Sequence, residues 1–146
     1  MAISASTVTT SFKTQVLTAT HDFTASSGDT FKLAMYTNSS ALSASTATYA
    51  DGTATNEITG TGYSGGGNSL TSSTPVASGT TAVCDFADTS WTSATITAYG
   101  ALIYNSSKAN KSVCVLNFGG DKTATNGTFT IQFPVPDASN AILRLA

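Results

Sequence analysis

The chain has few side chains that could do chemistry, and its most suggestive feature is a run of glycines. Gly60, Gly62 and Gly65, within residues 56–67 (NEITGTGYSGGG), satisfy G-x-G-x-x-G, the spacing that in a dinucleotide site turns backbone N–H groups at a helix start toward a pyrophosphate. That chemistry needs a buried strand before the glycines and a helix after them. Residues 68–75 (NSLTSSTP) follow instead, and their serines, β-branched threonines and proline do not hold a helix. The motif therefore reads as a glycine turn or bulge between short strands, with Gly62 and Gly65 serving a backbone of positive φ or close approach.

The remaining candidates are sparse. His21 is the only histidine and could act as a general base, or it is simply a helix-end residue beside Asp22. No G-x-S-x-G elbow and no reactive-looking cysteine motif accompanies it, and the only glutamate, Glu57, lies beside the glycine turn. Cys84 and Cys114 are the only cysteines; alternation puts the first on an apolar face with Ala82 and Phe86 and the second with Leu116 and Phe118. Buried thiols are the default reading, and a disulfide stays open if their strands face one another, although a cytosolic origin disfavours it. With one histidine, these cysteines cannot close a zinc site without carboxylates from elsewhere.

Asp85 and Asp88, joined by Asp51 or Asp121, could gather around calcium, but their spacing matches no calcium loop, and aspartates at turns usually bond their own backbone. Trp91, Tyr36, Tyr49, Tyr63, Tyr99 and Tyr104 could stack on a sugar, or they are core and subunit contacts. No catalytic, cofactor-binding or metal-ligating residue is assigned, no cofactor is expected, and the chain is not read as an enzyme.

The elements that must carry these residues follow from composition and pattern. A length of 146 residues suits one domain. Charged residues are 10% of the chain, against about 25% in ordinary domains, and serine and threonine together make up roughly a third of it. A 40% hydrophobic content still argues for a packed fold, and threonine suits a pleated surface with one wet face. The net charge of −2 and a single arginine, Arg144, leave no basic stripe for nucleic acid. No apolar run approaches the about 20 residues that span a bilayer. Residues 1–6 lack a basic n-region and an apolar h-region, so synthesis in a cytosol without a cleaved export signal is expected, and sequons at Asn38, Asn105, Asn110 and Asn126 carry no weight.

Phe12, Val16, Ala19 and Phe23 fall on one helical face, predicting a short helix over 11–21 capped by Thr9, Thr10 or Ser11. Residues 31–36 read as the first strong strand and 37–54 as a long loop with Asp51-Gly52 as a turn. Residues 80–86, 94–104, 112–118, 127–133 and 141–145 are further strands, separated by turns at Asn105-Ser106, Gly119-Gly120-Asp121, Asn126-Gly127 and 134–137. Ile58 and residues 70–76 add edge strands. The expected architecture is an all-β antiparallel sandwich or jelly-roll of about 7–9 strands with a short N-terminal helix. Residues 1–10 form an N-terminal arm ordered mainly by partners, and 11–146 a single domain.

Residues 56–67, 85–105 (DFADTSWTSATITAYGALIYN), 113–133 (VCVLNFGGDKTATNGTFTIQF) and 137–146 (DASNAILRLA), together with SFKTQVLTATHDF and FKLAMYT near the start, resemble a group of small tailed-bacteriophage virion structural proteins. The resemblance spans almost the whole chain. It implies a non-enzymatic particle component and brings no catalytic or ligand residues. Expected partners are the major capsid protein and the chain itself, as a homotrimer, with neither nucleic acid nor membrane. The place implied is the capsid exterior, after synthesis in the host bacterial cytoplasm. The alternative is a tail or tail-fibre component whose receptor- or glycan-binding head would use Tyr49 and Tyr63.

Overall fold

The computed structural model describes residues 3–146, with residues 52–55 described by their backbone alone. Eight strands and two helices follow in the order β1 (Thr7–Val8), α1 (Thr10–Leu17), β2 (Phe31–Tyr36), α2 (Tyr49–Asn56), β3 (Asn68–Ser69), β4 (Ser72–Ser78), β5 (Thr81–Phe86), β6 (Thr89–Asn105), β7 (Lys111–Ile131) and β8 (Leu143–Leu145). Two antiparallel sheets result, one ordered β1-β7-β6-β2-β3 and the other β4-β5-β8. This is the expected all-β sandwich.

Around β2 the larger sheet is covered on both faces, and β2 explains how. Phe31, Leu33 and Met35 point to one side, where they pack with Ala101, Ile103, Cys114, Phe86 and Leu143. Ala34 and Tyr36 point to the other, where Leu102, Tyr104, Val115, Ile3 and Leu42 close a second cluster. A strand buried on both faces loses the polar alternation of a half-wet one, which is why FKLAMY reads as a nearly continuous apolar run. Cys114 thus lies with Ala101 and Ile103, not with Leu102 and Tyr104.

Several expectations are corrected. The strands expected at 112–118 and 127–133 are one strand, β7, and their supposed turns are irregularities within it. Gly100 pairs with Asn117 and Ala98 with Lys122, so residues 118–121 bulge out against Tyr99 alone. Gly119 (φ +73°) and Asn126 (φ +46°) supply the left-handed backbone that a turn would also need. Because the partner strand continues past both points, the ladder resumes instead of reversing.

Helix α1 ends at Leu17 rather than His21, because the chain turns at Ala19 (φ +53°). Phe23 still reaches Phe12, edge to face at 6.0 Å, but from outside the helix. Thr9 is the N-cap residue yet makes no capping bond with its side chain; its hydroxyl donates to the Val113 carbonyl at 3.2 Å.

The expected loop over 37–54 contains α2. Thr48 and Asp51 form a capping box, Asp51 Oδ2 accepting from Thr48 N at 2.7 Å, so Asp51 starts a helix instead of a turn. Residues 3–8 of the expected arm are held by their own chain. Ile3 is buried, its carbonyl accepts from Asn117 Nδ2 at 3.0 Å, and Val8 pairs with Cys114. Met1 and Ala2 lie outside the described residues.

Cys84 and Cys114 are free thiols in one core cluster, so the disulfide alternative is set aside. Burial pushes them up to about 11 and about 12 respectively. At pH 8 a thiol-reactive disulfide reagent should therefore modify the native protein very slowly and release two equivalents on unfolding. Rapid labelling of Cys114 in the native state would contradict its placement.

The smaller sheet shows where alternation misleads. Cys84 and Phe86 face the core as expected, but Ala82 on the same face is exposed, beside Leu145, which is 62% exposed. At this end of β5 the buried face is the opposite one, carrying Thr81 and Val83.

Candidate functional site: the Glu57 hub and an apolar groove

Glu57 follows α2 and is set at the end of β2 by a bridge to Tyr36, with Ile58 N donating to the Met35 carbonyl at 3.0 Å. From there the glycine loop folds back over its carboxylate. Oε1 accepts from Tyr63 Oη and from Gly66 N, each at 2.7 Å, and Oε2 accepts from Tyr49 Oη at 2.7 Å. Tyr104, in β6, donates to the Gly66 carbonyl at 2.8 Å and stacks on Tyr49 with ring centroids 4.5 Å apart. Tyr63 Oη also accepts from Met35 N at 3.0 Å. Helix α2 and the glycine loop are tied directly to one carboxylate, and β2 and β6 are joined to it through Tyr63 and Gly66.

The loop is thus an anion cradle, as its glycines suggest, and the anion is the chain's own glutamate. No helix follows it; β3 and β4 do. The Gly66 N–H, which a phosphate would have required, is committed to Glu57. Gly62 (φ +83°) and Gly67 (φ +70°) do serve positive φ, with Gly62 seated against Ala94 of β6, whereas Gly65 has neither a positive φ nor any neighbour within 4 Å of its Cβ position. The expectation for Gly65 is corrected, and its place is taken by Gly67.

Burial, followed by the Glu57 carboxylate, pushes the hydroxyls of Tyr36, Tyr49 and Tyr63 far above the ordinary tyrosine range and that of Tyr104 up to about 12. These phenols stay protonated at neutral pH and are not bases or nucleophiles; Tyr49, Tyr63 and Tyr104 donate hydrogen bonds, whereas the buried Tyr36 Oη meets no partner among the described residues.

The other candidates separate. His21 bonds Gln15 and Asn105, neither of which is a group that it could activate as a nucleophile. Asp51 caps α2, and Asp88 accepts from Phe133 N at 2.9 Å. Asp85 lies in β5 and Asp121 in the β7 bulge. Among the described residues no three His, Cys, Asp or Glu side chains gather as a metal site would need. Trp91 is buried between Tyr63 and Phe129, with centroids 6.1 Å and 6.2 Å away, and Tyr36 is fully buried. The aromatics do not form a common platform.

Sequence reasoning missed the hub, although Glu57 is the chain's only glutamate and lies between Tyr49 and Tyr63. It also missed a shallow groove of about 540 Å³ along β7, whose apolar lining comes from Leu116, Phe118, Phe129, Ile131, Phe133 and Ile142. Phe118, which alternation puts on the apolar face of Cys114, is only half-buried, in this wall. Phe118→Ala should therefore cost about 1–2 kcal/mol, not the ~3–5 kcal/mol of a fully buried phenylalanine. Thermal melting beside Phe31→Ala tests this, and equal losses would return Phe118 to the core. The edge of β7 opposite β6 pairs with β1 only at Cys114 and Val115, so beyond Asn117 no strand among the described residues covers it.

No helix among the described residues is long and apolar enough to cross a membrane. Compared with protein-family models, with curated proteins and with solved structures, the chain matches none.

Proposed function

We propose that the protein is a structural component of a tailed-phage virion, a capsid decoration or cement protein that binds the major capsid lattice from outside as a homotrimer. The observation that supports this reading is the open edge of β7 beside the apolar groove, which offers unpaired backbone groups and half-buried aromatics side by side. Such a surface suits another protein better than a small polar substrate. A cement contact of ordinary size buries about 800 Å² per partner. The internally satisfied Glu57 hub suits the same role, since it stiffens the loop side of the sandwich without an open reactive group.

The glycan-binding alternative rested on Tyr49 and Tyr63, and both hydroxyls are engaged by Glu57. Immunogold labelling or a particle reconstruction is the deciding experiment, with label expected over the capsid shell. Label confined to the tail would overturn the proposal. Phe118→Glu should abolish binding to bare capsids while leaving the fold intact, and sedimentation should give a trimer at micromolar concentration. A stable monomer would reject an intrinsic trimer.

A further inference from the structure

A second buried polar knot lies where the single histidine meets the turn after β6. Asn105 is fully buried. Its Nδ2 donates to Asp29 Oδ2 at 2.8 Å and lies 2.9 Å from His21 Nδ1, while its Oδ1 accepts from Ser107 N at 3.0 Å. The amide has one workable orientation, because reversing it would set its oxygen against the Asp29 carboxylate and its NH₂ against the Ser107 N–H. Nδ2 is thus the donor to His21 Nδ1, and that nitrogen carries no hydrogen. The ring hydrogen is on Nε2, which donates to Gln15 Oε1 at 2.8 Å. Phe12, Phe23 and Phe31 enclose the ring, their centroids 5.0, 6.4 and 6.4 Å from its own.

We propose that His21 is a proton-operated latch, holding α1 and the 22–30 turn against the β6–β7 hairpin only while its ring is neutral. Uptake of a proton from solvent puts a hydrogen on Nδ1, facing the Asn105 NH₂. Two donors then oppose each other, so either the ring leaves or Asn105 releases both Asp29 and Ser107.

The charged groups around the ring divide. Asp29, from the 22–30 turn, favours an imidazolium, while Lys111 at the start of β7 and Lys108 in the turn before it oppose one. Lys108 also lies 3.5 Å from Asp29 and offsets it. Asp22, next in the chain, turns its carboxylate to Thr24 N at 2.9 Å. Burial is the largest influence, and the ring's pKa falls below the ordinary 6.5. The opened chain then takes up the proton first as pH falls, so the closed form loses stability below about 6.5, down to the folded pKa.

The test is hydrogen exchange followed by NMR on the full chain from pH 7 to 5, corrected for the intrinsic rate. Gly28 N and Asp29 N, bonded to the Thr24 and Asp22 carbonyls, report the latched turn. Their opening constant should rise up to about tenfold per pH unit. The ring of the chain's one histidine should show the Nε2–H tautomer at neutral pH and titrate below 6.5. An Nδ1–H tautomer, a ring pKa at or above 6.5, or an opening constant independent of pH would overturn the latch. His21→Gln keeps an acceptor for Asn105 and a donor for Gln15, and should flatten the pH dependence; undiminished dependence in that folded variant would also overturn it. Should the variant fail to fold, the wild-type tautomer, titration and exchange decide the matter alone.

Discussion

Gly67→Ala should leave the protein without a stable fold, while Gly65→Ala, two residues away, should be nearly silent. At Gly67 the backbone has φ +70°, and an added Cβ would drive into the Leu33 carbonyl and lie 2.8 Å from Ala34 Cα. The left-handed conformation alone costs about 1–2 kcal/mol for a residue with a Cβ. The overlap is worse because β2 has no room to retreat, Leu33 being paired with Ile103 on one side and with Asn68 on the other. A total above about 4 kcal/mol is expected, comparable with the whole stability of a marginal domain. Gly65→Ala meets open space and should stay within about 0.5 kcal/mol. Denaturant midpoints of the two variants decide this. Matching midpoints would mean that the loop does not cross β2 as described.

Removing the hub carboxylate is the second large effect. Glu57→Ala takes away the acceptor shared by the Tyr49 and Tyr63 hydroxyls and the Gly66 N–H, each lost bond costing up to about 1–3 kcal/mol, with water and remaining contacts offsetting part of the sum. A loss of about 3–5 kcal/mol in unfolding free energy is expected. Glu57→Gln keeps one acceptor oxygen but turns an NH₂ toward a donating tyrosine, so it should fall between Ala and wild type. Tyr49→Phe alone should cost about 1 kcal/mol. In the Glu57→Ala background it should cost less, since the bond to the carboxylate is already gone. Fully additive losses would show that the carboxylate does not bind the tyrosines as one unit.

The fold class was legible because its signals are local. FKLAMY and the apolar runs of β6 and β7 show their strand character without reference to anything distant. The capping box at Thr48 and Asp51 was equally local but hidden, since a serine- and threonine-rich stretch holding Gly52 looks like loop by composition. The joining of 112–118 and 127–133 into one strand was not legible. Gly119, Gly120, Asn126 and Gly127 have the backbone freedom of a reversal, and only the continuity of β6 alongside them excludes one. The hub was half legible: Tyr49, Glu57, Tyr63 and Gly66 lie close in sequence, but Tyr104 arrives from β6, and whether a carboxylate faces inward is decided by tertiary packing.

The irregularities of the β6–β7 hairpin bear on how the chain finds its register. Opposed residues such as Ser90 and Thr130, or Thr97 and Thr123, meet through hydroxyls only 2.8 Å apart, and a slip of two positions would present similar small polar side chains to each other. Side-chain identity therefore discriminates weakly between alignments in this part of the sheet. The excursion at 118–121 and the left-handed residues Ser93 (φ +49°) and Asn126 (φ +46°) discriminate strongly. Each fits only where its partner strand leaves a matching gap, so a slipped hairpin would carry mismatched bulges and lose ladder bonds. In a chain whose surface is written mostly in serine and threonine, these defects act as the teeth of a key, and zippering outward from the 106–110 turn can close in one alignment.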